Sequence, residues 1–434
     1  MSNSIQSEPM NIGESCRGFM PAMGPVFFDD SRIIGVQPFT GLLNLPLLSL
    51  DLAKFENNKR IMIDLCNKSN AVFSPHIKTS MCPNLAHSMV EGGAWGVSVA
   101  DLRQLEIILN TGIKRVILAN QIGGASAAKR LSKLLERHPQ SEVFLFIDSA
   151  DIVKQLKLEW RNNLRLPHLN LLIEVGCGRT GTHSQDEVEK ILTALNDTKQ
   201  ARITLSGVAA YEGGVNRADY SAVSRNLDEL FARILLALIS VRAFLGPNLP
   251  ILLTAGGSTF FDEIITRSQT LNEKIGNFTL AIRSGACLFG DHGPINYRLK
   301  AIAKRNLLGC KASRLISEGL SPTLRVWSEV LSVNNDTNII CGFGLRDVSH
   351  DQGLPKPIGL WRNNKCIYNF SRDDCVTKLN DQHAFIKVAN QKFLPGDIID
   401  FGVCHPCTTI DKHKIIYGLD EKMKIAKTLQ TYFG

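Results

Sequence analysis

Three short stretches carry the side chains with chemistry to offer: SPHIKTSMCP at 74–83, AGGST at 255–259 and CHPCTT at 404–409. In the first, Lys78 follows the apolar run Ala71-Val72-Phe73-Ser74-Pro75-His76-Ile77, so the sequence predicts a lysine at the end of a buried strand. Partial burial lowers the pKa of an amine, which makes it a nucleophile toward an aldehyde and afterwards a base. The alternative is a surface lysine lying along apolar neighbours with its head in water. In the second, Gly256 and Gly257 let the backbone approach an anion closely, and Ser258 and Thr259 lead into a helix start with free N–H groups. A Gly-Gly pair on its own is simply a turn. In the third, His405 and Cys407 are spaced so that on a strand they face one side, where imidazole and thiolate suit a borderline-soft divalent cation such as zinc. Two protein ligands would leave positions for substrate and water. His383, in NDQHAF, is either a third ligand or a strand-end histidine, and the H-x-C spacing by itself also arises by chance.

These residues need a scaffold that brings them together. From Asp51 to about Phe289, β-rich runs alternate with helical patterns. The runs are Ala71–Ile77, Trp95–Ala100, Arg115–Asn120, Val143–Asp148, Leu169–Val175, Ile203–Ala209, Pro250–Thr254 and Thr279–Arg283; the helical segments include Leu52–Leu65, Asp101–Asn110 and Ser184–Leu195. Several runs are apolar at nearly every residue, as expected when both strand faces are buried. Eight strands, most followed by a helix, fit a (β/α)8 barrel better than an open sheet. Active sites of such barrels lie where strands end, and the loops after strands seven and eight commonly hold phosphate. Lys78 then ends the first strand, while Gly256–Thr259 and Gly285, in AIRSGACLFGD, end the seventh and eighth. A lysine across a barrel mouth from a phosphate cradle is what pyridoxal phosphate requires: Lys78 for the aldehyde, the glycine loop for the phosphate.

After about Leu315 the texture changes to short strand candidates divided by Asn, Asp, Gly and Pro: LRVWSEVLSV, NIICGFG, KCIYNF, HAFIKV and DIIDFGV. The expected organisation is an N-terminal arm at 1–44 that pairs with the β domain, a cofactor-binding barrel at 45–310, and an all-β domain at 311–434 carrying the metal site. The chain has 434 residues, enough for two domains, with 44% hydrophobic and 21% charged residues. No apolar stretch is long enough to span a bilayer, and Met1–Pro21 lacks the apolar core of a secretory signal. Eleven scattered cysteines point to reduced thiols in the cytoplasm rather than a disulfide framework. A net charge of +8, without a basic tract interleaved with aromatics, argues against a nucleic-acid partner and suits an anionic small molecule.

Taken together, SPHIKTSMCP, VSVADLRQLE, VILANQIGG, EVGCGRTG, AYEGG, TAGGST and PGDIIDFGVCHPCTT resemble the D-serine dehydratase and D-threonine aldolase branch of the alanine-racemase-like, fold-type III pyridoxal phosphate enzymes. EGLSPTLRVWSEVLS and GFGLRDVSHDQGLP are similar to the longer bacterial amino acid deaminases. The resemblance covers roughly Leu45–Thr409. It implies that Lys78 holds the cofactor aldehyde, that Gly256, Gly257, Ser258 and Gly285 bind its phosphate, and that Tyr211 lies near its ring. Arg179, in EVGCGRTG, lies near the cofactor or else forms a salt bridge in a barrel loop. His405 and Cys407 match zinc ligands. The implied reaction is elimination of water and ammonia from a β-hydroxy D-amino acid such as D-serine, in a homodimer. Retro-aldol cleavage is the alternative, although aldolases place a carboxylate where this chain has Cys407; racemisation is a third and needs a second base and no metal. The chain departs from the family at Arg283-Ser284-Gly285, where arginine-proline-glycine is usual, and at Ala286-Cys287, where an aromatic often follows.

Overall fold

The computed structural model describes residues 17–19, 32–161, 163–196, 202–214, 220–335, 337–389 and 392–433. Most of the N-terminal arm, 1–16 and 20–31, lies outside the described residues. Strand β1 (Leu47–Asp51) comes first, and eight parallel strands follow: β2 (Ala71–Phe73), β3 (Val97–Val99), β4 (Arg115–Leu118), β5 (Glu142–Ile147), β6 (Leu169–Val175), β7 (Ile203–Ala210), β8 (Ile251–Ala255) and β9 (Phe278–Ile282). They lie in the order β2-β9-β8-β7-β6-β5-β4-β3. The remaining seam, β2 against β3, is carried by a parallel bridge between His76 and Ser98 and by two backbone bonds, Trp95 N–H to Phe73 O (2.8 Å) and Ser98 N–H to Pro75 O (2.9 Å). The sheet is therefore a barrel, as the alternation of runs predicts.

The unbroken apolar runs are explained by two cores. Leu171 and Ile173 of β6 pack outward under the helices, while Leu172 between them points inward with Ile117, Phe144, Phe146, Ala209, Leu252 and Ala281. Both faces of the strand leave water, at about 1.5–3 kcal/mol per large aliphatic side chain. Helix starts are set locally. Asp101 accepts a hydrogen bond from Gln104 N–H at 2.8 Å, and Ser184 with Glu187 forms a reciprocal capping box before Gln185–Leu195.

The C-terminal domain is an antiparallel sheet built from β10 (Leu324–Asn335), β11 (Asn338–Cys341), β12 (Lys356–Arg362), β13 (Lys365–Asn369), β14 (Cys375–Leu379), β15 (Ala384–Lys387), β16 (Ile398–Gly402), β17 (Ile415–Leu419) and β18 (Ile425–Gln430). Its main path is β13-β12-β16-β10-β1-β17-β18, and β10 also carries the β11-β15-β14 extension. β1 lies inside this sheet, antiparallel to β10 and parallel to β17. The sequence reading placed those residues at the start of the barrel unit. No helix of the described residues is long and apolar enough to cross a membrane, and the described cysteines are all free.

Candidate active site

Lys78 does not end a strand. Strand β2 stops at Phe73, and Lys78 lies in a single 3₁₀ turn, Ile77–Thr79, at the C-terminal mouth of the barrel. Pro75 offers no N–H to the ladder, which turns the chain there. The expectation that Lys78 points into the mouth does not depend on the strand. The residue is open to solvent at the mouth, while protein crowds its amine, with four charged or ionisable neighbours. That crowding lowers the pKa of the amine; Cys407 opposes this, and Arg179 and Arg283 reinforce it. His76, two residues back, is held neutral well below the usual histidine range, first by burial and then by Lys78, Arg283 and Arg179.

Arg283 follows β9 and is 5% exposed. Its guanidinium donates to Thr254 Oγ1 and to Ala210 O, both at 2.7 Å, and lies 5.2 Å from the centre of the Phe146 ring. Burial brings its pKa down to about 10, against the opposing pull of Glu212 and Glu174. Arg179 stacks on Tyr211, 4.4 Å from the ring centre, and comes no closer than 4.0 Å to the buried Glu174 carboxylate. It is thus a cation–π partner of Tyr211 rather than a close salt bridge. Glu174 accepts from Gln121 Nε2 at 2.5 Å and from Thr180 Oγ1 at 2.9 Å.

The glycine loop is organised differently from the sequence expectation. The N–H groups of Gly256 and Gly257, assigned there to a phosphate, donate to the fully buried carboxylate of Glu212 at 3.1 and 2.6 Å. Gly256 needs its glycine for another reason: its φ is +86°. A second glycine turn lies beside it. Gly285 precedes a 3₁₀ turn, Ala286–Leu288, which has no side-chain cap, and Ser258 Oγ accepts from Cys287 N–H at 3.1 Å. A Cβ at Gly285 would collide with the carbonyl oxygen of His76, so this glycine also sets how closely the β9 loop approaches the Lys78 segment. Arg283 N–H and Ser284 Oγ both donate to Gly256 O, at 3.1 and 3.0 Å, which ties the two loops together. A lysine with a depressed pKa, a stacked tyrosine and the start of a 3₁₀ turn beside a serine hydroxyl fit a phosphorylated aldehyde cofactor.

The H-x-C pair does not lie on a strand. His405 is the residue before a short helix, Pro406–Ile410, and Cys407 is the second residue of that helix. Proline at the first helical position explains why a helix begins there. The helix packs on the 3₁₀ turn that carries Lys78, and the Cys407 thiol donates to Thr79 Oγ1 at 3.4 Å. Burial alone would raise the Cys407 thiol; the neighbouring His405 ring, the Thr79 hydroxyl and the charge of Lys78 outweigh that and lower it. Burial would lower His405, but contact with Cys407 and Asp351 raises it. Asp351 meets His405 Nδ1 at 2.8 Å, Thr408 Oγ1 meets the same nitrogen at 2.9 Å, and the Gln352 amide nitrogen lies 3.2 Å from Nδ1 and 3.3 Å from Nε2. With Asp351 fixing Nδ1, as is usual around metal-binding histidines, a cation would take Nε2, and the Gln352 amide would have to move aside for it. Among the described residues no three His, Cys, Asp or Glu side chains are disposed to hold one metal. His383 lies exposed between β14 and β15 and is not a third ligand. His405 and Cys407 therefore fit a cation only as an open, two-ligand site.

Comparison with known proteins gives the same architecture. Residues 50–263 match the alanine racemase N-terminal domain, and residues 323–419 match the putative serine dehydratase domain. The 3-hydroxy-D-aspartate aldolase of Paracoccus denitrificans (strain Pd 1222) is 22% identical over 351 residues, 80% of each chain. The D-threonine aldolase of an Arthrobacter species is 24% identical over 173 residues, 40% of this chain and only 44% of that protein. Among solved structures, the D-threonine aldolase of Filomicrobium marinum has a TM-score of 0.69 at 18% identity, covering 92% of this chain and 96% of its own. The D-threo-3-hydroxyaspartate dehydratase of Delftia sp. HT23 has a TM-score of 0.67 at 18% identity, covering 92% and 99%. With both halves of the chain matched in the order that the fold displays, the chain belongs to the fold-type III pyridoxal phosphate enzymes, in the group that joins an alanine racemase N-terminal domain to a serine dehydratase domain.

Proposed function

We propose that the protein is a metal-assisted lyase that removes water and ammonia from a β-hydroxy D-amino acid, with D-serine as the simplest substrate. The observation that carries this reading is the docking of the His405–Cys407 helix on the Lys78 turn. One side of the barrel mouth thereby holds an amine suited to a Cα proton and, one side chain away, a nitrogen–sulfur pair suited to a cation at the β-oxygen.

Pyridoxal phosphate, when bound, supplies an electrophilic aldehyde and a sink for negative charge at Cα. Lys78 would hold the aldehyde, and its lowered pKa makes the neutral amine available to take the Cα proton. The Ser258 hydroxyl and the N–H groups of Gly285 and Ala286 would receive the phosphate. Tyr211, held by the Arg179 guanidinium, would lie near the ring. His405 and Cys407 would hold a divalent metal, which would act as a Lewis acid on the departing hydroxyl. The elimination is balanced: Cα loses a proton, Cβ loses hydroxide, the two leave as water, and hydrolysis of the released enamine gives a keto acid and ammonia. A soft sulfur donor favours zinc over magnesium or manganese. A D-threo-3-hydroxyaspartate dehydratase of similar fold has been solved as a cysteine-to-alanine variant in a metal-free form, which is in keeping with metal use by that protein.

Retro-aldol cleavage is the second reading, favoured by the aldolases among the sequence relatives. The products separate the two. Purified protein is incubated with D-serine, D-threonine and 3-hydroxy-D-aspartate. Keto acid with ammonia supports elimination, glycine with an aldehyde supports cleavage, and neither product from any substrate refutes both.

A further inference from the structure

The helix bearing His405 and Cys407 and the loop bearing Asp351 come from different parts of the chain, and their relative placement sets the His405 ring. Within the C-terminal domain they are joined by Ser349 N–H to Thr409 Oγ1 at 3.2 Å and by His413 Nε2 to Asp347 O at 2.8 Å. A third link comes from more than 300 residues away. Arg17 donates through Nε to Asp347 Oδ1 at 2.8 Å, through one terminal nitrogen to Arg346 O at 3.1 Å, and through the other to Lys412 O at 3.0 Å. The same Asp347 carboxylate closes its own loop by accepting from Gly344 N–H at 2.8 Å. One guanidinium thus fastens the Gly344–Asp351 loop on one side and, on the other, the turn at Lys412 that follows the Pro406–Ile410 helix.

The segment that presents Arg17 is itself held. Tyr417 donates its hydroxyl to Arg17 O at 2.5 Å, Gly18 bridges Asn44, and Phe19 is 1% exposed against Tyr417. A planar fork with several fixed donors can satisfy two segments at once, which an ammonium cannot do in the same geometry.

We propose that Arg17 is a positioning residue for the metal pair: by clamping the Asp351 loop against the His405–Ile410 helix it keeps Asp351 on Nδ1 and presents His405 and Cys407 together to a cation. This inference rests on the metal reading above. It assigns to the described residues Arg17–Phe19 a part in an active site whose His405 and Cys407 they do not themselves contact.

The test uses the full chain and the variants Arg17→Ala, Arg17→Lys and Asp351→Asn. Zinc dissociation constants are measured by competition with a chromogenic chelator, pyridoxal phosphate binding by titration, and backbone hydrogen exchange over 344–351 and 405–413 in zinc-free protein. Loss of a residue orienting a metal ligand weakens metal binding by ~10–100-fold, so Asp351→Asn is the reference and Arg17→Ala is expected to weaken zinc by about tenfold. Arg17→Lys should fall between it and the native protein and serves as the reading if the alanine variant does not fold. Both exchange segments should open faster, while cofactor affinity stays within about twofold of native on the same reasoning. Unchanged zinc affinity and exchange in both Arg17 variants, with zinc weakened in Asp351→Asn, would overturn the clamp and leave the metal reading standing. If the native protein binds no zinc, the metal reading fails, and with it the proposed purpose of the clamp.

Discussion

Replacing Glu212 by Gln tests how the cofactor loop is built. The Glu212 carboxylate is fully buried and accepts from two consecutive backbone N–H groups, Gly257 at 2.6 Å and Gly256 at 3.1 Å. Glutamine is nearly isosteric but brings one acceptor and one donor, so one N–H keeps its partner and the other faces an NH₂ group. The loss is a charge-assisted bond together with an unpaired buried donor, and these overlap to about 3 kcal/mol. Glu212→Ala strands both N–H groups and should cost more, about 4–6 kcal/mol. The same carboxylate opposes the burial that lowers the pKa of Arg283, so the guanidinium loses support too. Ser258 directly follows this turn and accepts from Cys287 N–H, so loosening the turn also disturbs the proposed phosphate end. Urea unfolding of cofactor-free protein and pyridoxal phosphate titration are the assays. The expected result is a stability loss of about 3 kcal/mol with a cofactor dissociation constant raised about tenfold. Tighter cofactor binding in Glu212→Gln would refute the reasoning, because it would mean that the carboxylate competes with the phosphate for those N–H groups.

Three further outcomes follow from the geometry. Lys78→Ala should leave the fold intact and abolish covalent retention of the cofactor, checked by borohydride reduction and mass spectrometry of the denatured chain; a cofactor–lysine adduct elsewhere would remove Lys78 from its role. Gly285→Val places a branched side chain against the His76 carbonyl and should weaken cofactor binding by at least the ~1–3 kcal/mol of an overpacked contact, whereas equal dissociation constants would mean that the two loops yield freely. His413, 3% exposed, is held neutral with its pKa lowered from 6.5 to about 4, chiefly by burial. The unfolded chain therefore binds a proton between those values that the folded chain does not, and stability falls as pH drops through that window, by about 3 kcal/mol at its lower end. His413→Gln, which retains a donor for Asp347 O, should flatten that fall when urea midpoints are compared at neutral and acid pH; an identical fall would assign the acid loss to other groups.

The barrel was legible because burial on both faces writes itself into a strand: Leu171, Leu172 and Ile173 are apolar in succession although they face different cores. Strands β12 and β18, which the sequence reading missed, lack that mark, whereas β17, also missed, carries it over Ile415–Leu419. β12 contains Pro357 and Gly359, and β18 mixes Ile425 and Leu429 with Lys427 and Gln430, without alternation, across a register irregularity. Two local errors had signals in the sequence. Pro75 stops the first barrel strand before Lys78, and Pro406 between His405 and Cys407 announces a helix start rather than a central strand. Other parts of the site were beyond sequence reasoning. Asp351 reaches His405 across 54 positions, and Glu212 reaches the glycine turn across 44, so no spacing rule links them. Arg283 was visible only as the end of a strand run and the retained arginine of a motif that departs at Ser284, and its hold on Thr254 and Ala210 needed the closed barrel.

The most direct test of the central claim is metal-dependent deamination. Protein purified without exposure to any chelator is analysed for bound metal and assayed for keto-acid release from D-serine, before and after chelation. The account predicts bound zinc, loss of keto-acid release on chelation with the cofactor's visible absorbance retained, and recovery when zinc is returned to the native protein but not to Cys407→Ala. Metal-free protein that deaminates D-serine at the same rate as zinc-supplemented protein would contradict it, and would leave His405 and Cys407 as a structural pair beside the lysine.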